Sequence, residues 1–279
     1  MRKAFSLVAT GVAAALALTA CGGSESSSSA VESLDPANPV TLTVGASPQP
    51  HAVILEYVAD NLAADAGLEL EVVPFDDYVT PNISLDDGSI DANYFQHLSY
   101  LEAQIADQGY DFEHGEGIHI EPYAVFSDKH KDIADVEDGA RVAITNDPSN
   151  QARALALLED AGLLKDVPED ASVISLTDEQ NPMNLDFVEN QAELLVNDLS
   201  DPTVDLAIIN GNYILDAGLN TDDALLVESL ESNPYANLLA WKAGSKDARI
   251  DKLEELLHSP EVKAFIEEQW PNGDVTPAF

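Results

Sequence analysis

Ring-bearing and amide side chains are concentrated in the stretch from residue 91 to residue 101. Phe95, His97 and Tyr100 are bulky and partly polar, and they fall where a predicted buried strand (residues 89–93) gives way to a helix on which His97 and Tyr100 share a face. Ligands of open α/β proteins bind at this carboxyl edge of a sheet. The stretch therefore predicts one wall of a ligand site, with an aromatic core cluster as the alternative.

Arg153 is the polar residue with the clearest chemistry for a charged ligand. It lies in the first turns of a predicted helix whose start is marked by Asp147 and Pro148, a cap followed by a proline. A guanidinium can hold a carboxylate by two parallel hydrogen bonds, and the helix N-terminus adds a positive field. A surface arginine paired with one of the many acids is the alternative.

The other candidate contacts also fall at strand ends and helix starts. Tyr78 follows the second predicted strand, and Asn150 shares a helix face with Arg153. Asn210 ends one predicted strand and Asn237 opens another. Carboxamide oxygens can accept hydrogen bonds from an ammonium group, although each asparagine alone is more often a turn residue.

No catalytic or metal-binding motif stands out. There is no Gly-x-Ser-x-Gly and no glycine-rich phosphate loop. The six histidines are scattered without His-x3-His spacing, and His114 with His119, in a predicted loop, is the nearest approach to a metal site. We expect no catalytic residue, no metal and no cofactor. An enzyme that uses His97 as a general base with Asp91 remains the alternative.

The N-terminus has the layout of a secretory signal. Arg2 and Lys3 precede an uncharged apolar run, residues 5–20, that is shorter than the roughly 20 residues of a membrane span. The run ends in Leu-Thr-Ala-Cys, which resembles a bacterial lipobox, and Cys21 is the only cysteine. We predict a signal peptide over residues 1–20, lipidation of Cys21 and a flexible spacer over residues 21–38, against an ordinary signal peptide with an incidental cysteine.

Charge excludes some partners. The chain has 51 acidic and 12 basic residues and a net charge of −39. Such a surface repels nucleic acid and anionic headgroups, so we expect a solvated surface in an extracellular setting.

The order of predicted elements indicates an α/β protein. Strands and helices alternate, which favours largely parallel sheets. About 240 residues suffice for two lobes, and we predict lobe 1 from residues 39–121 with 236–279 and lobe 2 from residues 122–235. A single continuous sheet is the alternative. The patterns also predict strands over residues 118–126 and 173–176 and a helix near residues 187–196.

Several separate motifs, in order along nearly the whole mature chain, resemble the NlpA lipoprotein family, the substrate-binding lipoproteins of methionine ABC importers. They are Pro50-His51-Ala52, Phe75-Asp76-Asp77-Tyr78-Val79-Thr80-Pro81-Asn82, Asp91-Ala92-Asn93-Tyr94-Phe95-Gln96-His97, Asn146-Asp147-Pro148-Ser149-Asn150-Gln151-Ala152-Arg153 and Pro234-Tyr235-Ala236-Asn237-Leu238.

The resemblance implies a periplasmic-binding-protein-like fold whose two lobes close over a ligand in the cleft between them. It implies that Arg153 takes the ligand's carboxylate and that a cage surrounds the methionine side chain. The cage residues are Tyr78, Phe95, His97 and Tyr100. The resemblance further implies that the remaining polar atoms of the ligand are bound by Asn150, Asn210 and Asn237. A thioether favours aromatic contacts, and a zwitterion removed from water needs both charges satisfied.

The sequence thus predicts a non-enzymatic capture protein. It would bind L-methionine, a close derivative or a methionine dipeptide and deliver it to an ABC permease and its ATPase. We expect a monomer held on the extracytoplasmic face of the membrane by a palmitate-bearing lipid anchor. A surface-anchored hydrolase and an adhesion lipoprotein with a vestigial cleft are the alternatives.

Overall fold

The computed structural model describes residues 30–279. The predicted signal peptide and the predicted lipidation site, Cys21, lie outside the described residues. None of the helices in the described part of the chain has the length and apolar character that crossing a bilayer requires.

The first of two sheets has six strands in the order β11-β4-β10-β3-β1-β2. Strands β2 and β3 run parallel to β1, whereas β10 is antiparallel to both of its neighbours. In β1, Leu42, Val44 and Ala46 are fully buried and alternate with threonines, as a strand with one face on the core requires. The strands are β1 (Val40–Ala46), β2 (Leu68–Pro74), β3 (Ala92–His97), β4 (Phe112–Ile120), β10 (Asn237–Lys242) and β11 (Thr276–Pro277).

The second sheet has five strands in the order β7-β6-β8-β5-β9. Strand β6 is parallel to β7 and β8, and β5 is antiparallel to β8 and β9. The strands are β5 (Ala124–Phe126), β6 (Arg141–Thr145), β7 (Asp186–Asn190), β8 (Leu206–Ile209) and β9 (Leu226–Val227).

Helices cover both sheets. The helix after β6 begins at its predicted cap, because the Asp147 carboxylate accepts a hydrogen bond from the Asn150 amide at 2.9 Å. Further helical turns flank the first helix on both sides, from Pro48 to Ala66. The helices are α1 (Val53–Val58), α2 (Thr80–Asp87), α3 (Leu98–Gln108), α4 (Pro148–Asp160), α5 (Leu195–Leu199), α6 (Gly211–Asp216), α7 (Ala248–Leu257) and α8 (Pro260–Gln269).

Two α/β lobes, one around each sheet, make up the described chain, which excludes the single continuous sheet. The chain crosses between the sheets twice, at residues 121–123 and 228–236, and the crossovers bond to each other. Tyr123 donates its amide to the Glu228 carboxylate at 3.2 Å, and its carbonyl accepts the Glu228 amide at 2.8 Å. The predicted lobe boundaries stay a prediction.

Several predicted elements were wrong. The sheets are mixed rather than largely parallel, because β5 and β10 enter their sheets from the opposite lobe and so run against the strands that end at the cleft. The predicted strand over 118–126 is two strands in different sheets. Residues 173–175 form a short helical turn, and residues 186–190 form β7 where a helix was expected. No residue of either segment is fully buried, so apolar periodicity is weak there.

Part of the predicted spacer contacts the folded domain. The Val31 carbonyl accepts a hydrogen bond from the Ala248 amide at 3.0 Å, and the Val31 amide donates to Asp247. Leu34 packs on the core of the first lobe. Contacts with the domain are therefore already present before β1, at Val31 and Leu34.

Candidate functional site

A cavity lies where the two lobes meet. About 360 Å³ of space that no atom fills lies between its lining residues, part of it open to solvent. All eight residues predicted to bind a ligand border it, and their role in binding stays a prediction. The lining residues are His51, Tyr78, Phe95, Gln96, His97, Tyr100, Glu121, Asn150, Arg153, Asn210, Gly211, Asn212 and Asn237.

A cluster of aromatic rings borders the cavity. The ring centroids of Tyr78 and Phe95 are 6.0 Å apart, and the Tyr78–Tyr100 and Phe95–Tyr100 distances are 5.8 and 6.0 Å. Tyr213, on α6 of the second lobe, brings its ring within 5.2 Å of Tyr78. Edge and tilted ring contacts of this kind leave faces that suit an apolar, polarizable group.

His97 ends a strand and caps a helix. The prediction that His97 and Tyr100 share a helix face was wrong, because Phe95 and His97 belong to β3 and His97 is the N-cap of α3. Its Nδ1 accepts from the Tyr100 amide at 3.2 Å and lies 2.9 Å from the Ser99 hydroxyl. Its Nε2 therefore carries the proton and donates across the cleft to Asn150 Oδ1 at 3.1 Å.

That bonding does not suit His97 to be a general base. Burial first, and then the nearby charge of Arg153, lower the pKa of His97 to about 3. The proposed acid partner, Asp91, instead accepts from the Thr43 amide at 2.9 Å and pairs with Arg249 at 3.3 Å. The His97–Asp91 pair of the enzyme alternative is therefore not formed.

Arg153 is buried, 5% exposed, and is held by both crossovers. Its Nε donates to Glu228 Oε1 at 2.8 Å, and its Nη2 donates to the Glu121 carbonyl at 2.9 Å and also pairs with Glu228. The guanidinium lies 4.5 Å from the Tyr123 ring centroid and 4.2 Å from that of Tyr235. Arg153 thus pairs with an acid, Glu228, which was the alternative to a ligand contact. The pair lies beside the cavity and not on the protein surface. No acceptor for Nη1 is found among the described residues.

Two asparagine side chains bring polar atoms to the cavity that lack a partner in the described part of the chain. They are Asn210 Oδ1, an acceptor, and Asn212 Nδ2, a donor, on residues 6% and 3% exposed. Asn212 accepts from the Tyr78 hydroxyl at 2.5 Å, which links the lobes and orients its amide. Buried polar groups are normally hydrogen-bonded, so these two atoms are suited to a ligand with both a donor and an acceptor.

The site also contains a buried polar group that sequence reasoning missed. His119 Nε2 donates to Glu121 Oε1 at 2.7 Å, its Nδ1 bonds the Tyr94 hydroxyl, and His51 Nε2 lies 3.3 Å from the same carboxylate oxygen. The pair of His114 and His119, the nearest approach to a metal site in the sequence, is not formed, since His114 is exposed on β4. The spacing of residues 51, 119 and 121 carried no signal by itself, because only the fold brings them together.

His51, His119 and Glu121 could in principle share a metal ion, with ligand atoms within 4.8 Å of one another. The contacts of His119, however, are those of a neutral ring that accepts from Tyr94 and donates to Glu121. We interpret the group as a hydrogen-bond network.

The buried histidines should make stability depend on pH. Burial lowers the pKa of His51 to about 4 and that of His97 and His119 to about 3, so they gain protons below pH 6.5 mainly when the chain unfolds. The free energy of unfolding should therefore fall as the pH drops from 7 to 5, each histidine contributing up to about 1.4 kcal/mol per pH unit. Burial raises the pKa of Asp216 to about 6, and this shift opposes part of the loss of stability. Urea unfolding at pH 7, 6 and 5 measures the slope, and a stability that is flat or rises toward pH 5 contradicts it.

The chain has two α/β lobes and, between them, a cavity lined by aromatic rings and polar groups. This arrangement defines the class of two-lobed binding proteins. The NlpA lipoprotein family model matches residues 42–279. The chain belongs to the NlpA lipoprotein family.

Relatives and solved structures agree over most of the chain. The methionine-binding lipoprotein MetQ of Bacillus subtilis is 38% identical over 241 residues, 85% of this chain and 87% of the relative. A lipoprotein structure from Actinomyces odontolyticus is 49% identical with a TM-score of 0.82, covering 87% of this chain and 100% of that chain. A nutrient binding protein from Burkholderia cenocepacia, solved bound to methionine, is 38% identical with a TM-score of 0.79, covering 85% of this chain and 100% of that chain.

Proposed function

We propose that this protein captures L-methionine in the cavity between its lobes for import. The observation that carries the proposal is the lining of the cavity, which combines the rings of Tyr78, Phe95 and Tyr100 with the polar groups of Arg153, Asn210 and Asn212. The rings suit a thioether, and the polar groups suit an α-amino acid head group. The relatives named for methionine binding support the choice of ligand.

In this proposal the eight predicted residues keep their assigned roles. Tyr78, Phe95, His97 and Tyr100 surround the side chain of the ligand, and Arg153 binds its carboxylate through Nη1. Asn150, Asn210 and Asn237 bind the remaining polar atoms. The residues come from both lobes, so a bound ligand favours the closed arrangement by its differential affinity.

We further propose that the protein is not an enzyme and acts as the anchored receptor of an ABC importer. Lipidation of Cys21 would hold it at the extracytoplasmic face of the membrane, where the closed lobes, residues 39–121 with 236–279 and residues 122–235, meet the permease. The lipobox-like Leu18–Cys21 sequence and membership of a lipoprotein family support the anchor. Several acyl chains on one cysteine give firm membrane attachment.

Mass spectrometry of the ligand released from the purified protein tests the proposed ligand directly. We expect intact methionine and, after its removal by denaturation and refolding, a thermal shift of about 5–10 °C at 100-fold excess over Kd. Leucine, glutamine and D-methionine serve as matched ligands in the same scan. A larger shift with another amino acid reassigns the ligand, release of a hydrolysed product supports the enzyme alternative, and no shift with any amino acid supports the vestigial cleft.

A further inference from the structure

Glu121 is the only carboxylate among the residues of the described part of the chain, 30–279, that line the cavity. We propose that Glu121 binds the ammonium group of the ligand and so makes the site selective for α-amino acids. This inference rests on the proposed function and adds a charged residue to a site whose ammonium contacts were expected to be neutral asparagines. The side chain is 6% exposed and belongs to the crossover between β4 and β5, between the two lobes.

The carboxylate of Glu121 is held by neutral donors. His119 Nε2 and His51 Nε2 lie 2.7 and 3.3 Å from its Oε1. Burial lowers the pKa of both histidines to about 4 or below, so neither carries a positive charge at neutral pH. Removing one partner of a buried ion pair leaves the other charge uncompensated at a large cost. Burial raises the pKa of Glu121, because no neighbour fully compensates its charge, and a ligand ammonium beside it would supply that positive charge.

The one cation that borders the cavity is already paired. Arg153 makes two hydrogen bonds to Glu228, whose side chain is 14% exposed and does not line the cavity. Its guanidinium therefore does not neutralise the Glu121 side chain by a direct contact, and only the Glu121 carbonyl reaches it. The cavity is thus bordered by the guanidinium of Arg153 and the carboxylate of Glu121. These two charges complement the carboxylate and the ammonium group of a zwitterion.

The asparagines offer little to an ammonium group. Asn237 Oδ1 already contacts His51 Nε2 at 3.2 Å, and Asn150 Oδ1 contacts His97 at 3.1 Å and Asn210 Nδ2 at 3.4 Å. Only Asn210 keeps a carboxamide oxygen without a partner among the described residues. One neutral oxygen cannot compensate a full charge removed from water, whereas a carboxylate can.

The surroundings of Glu121 fix the position of its carboxylate. The Tyr94 hydroxyl bonds His119 Nδ1, which leaves the other ring nitrogen to donate to Glu121. On the opposite side Gly211, at the start of α6, has no side chain, and a Cβ there would lie 2.5 Å from the Cβ of Glu121. Groups from both lobes therefore surround the Glu121 carboxylate. His119 acts as a positioning residue for it.

A thermodynamic cycle tests the proposal. Wild type and Glu121→Gln are titrated calorimetrically with methionine and with methylthiobutanoate, its des-amino analogue. For wild type we expect the analogue to bind about 100-fold more weakly than methionine, because it leaves Glu121 uncompensated. For Glu121→Gln we expect methionine to lose about 100-fold and the two ligands to bind within about threefold of each other. Equal discrimination by the two proteins overturns the proposal.

The controls separate this inference from the function on which it rests. Glu267→Gln, an exposed acid on α8, should bind both ligands as wild type does. A wild type that binds no methionine overturns the proposed function and this inference with it, whereas methionine binding without discrimination against the analogue overturns only the inference. If Glu121→Gln unfolds below the assay temperature, the wild-type comparison alone still decides, since a threefold or smaller difference between the ligands contradicts the proposal.

Discussion

Replacing Arg153 with alanine should abolish tight methionine binding, with a loss of about 30- to 4,000-fold in Kd. The substitution removes the guanidinium that borders the cavity. It leaves the ligand carboxylate without a charged partner in a closed site. Truncating one member of a buried, hydrogen-bonded charge pair typically costs about 2–5 kcal/mol, and each 1.4 kcal/mol is tenfold in Kd. Isothermal titration calorimetry measures the loss, and near-native affinity would remove Arg153 from the site.

The same substitution also removes the partner of Glu228, so folding must be checked separately. We expect a lower unfolding temperature for Arg153→Ala but an unchanged circular dichroism spectrum at 20 °C. Arg141→Ala is the matched control, because Arg141 lies on β6 of the same lobe with a side chain 44% exposed. Arg153→Lys keeps the charge but loses the planar fork and should bind about 10–100-fold more weakly than wild type.

Replacing Gly211 with alanine should weaken methionine binding by about 100-fold or more by preventing the lobes from closing. A Cβ at this position would lie 2.5 Å from the Glu121 Cβ and 3.1 Å from the Pro122 carbonyl oxygen, where neither group is the free end of a side chain. The φ angle of Gly211 is not in the left-handed region, so alanine meets no backbone strain within α6 itself. The clash is therefore relieved by moving α6 away from the crossover.

Small-angle scattering with saturating methionine provides a second measurement for Gly211→Ala. Wild type should contract on adding ligand, and the variant should remain at the radius of the open form. Gly45→Ala is the matched control, because its Cβ would meet side-chain atoms of Ile90 and Phe75 at 2.7 Å, all within the first lobe. It should lose stability but keep its affinity. A Gly211→Ala protein that contracts and binds like wild type contradicts the closure mechanism.

The sequence sufficed to predict eight of the thirteen residues that border the cavity, but not how they bond. Phe95, Tyr100 and Arg153 were recognisable because their types are unusual at strand ends and helix starts. The pairing of Arg153 with Glu228 and the convergence of His51 and Glu121 were not predictable. These partners are 75 and 70 positions apart, and no local pattern encodes a contact made by two crossing chain segments.

Predictions of the fold succeeded where a local signal marks an element. Helix α4 was predicted at its start, because capping is a local signal. The helix expected near residues 187–196 is instead a half-buried strand followed by short helical turns, and its pairing with β6 rather than its own composition decides its conformation. Sheet direction was mispredicted for a related reason, since it depends on which lobe a strand enters from.

The position of β10 has a consequence for the order of folding as the chain emerges during export. This strand lies between β3 and β4 in the first sheet, although it is separated from β4 by the whole second sheet. The first lobe therefore cannot complete its sheet until residue 242 is available, whereas residues 124–227 contain every strand of the second lobe. The second lobe can fold first, and until β10 arrives the facing edges of β3 and β4 are open to other strands. Translocation of the last 50 residues thus decides whether the first half of the chain folds or aggregates.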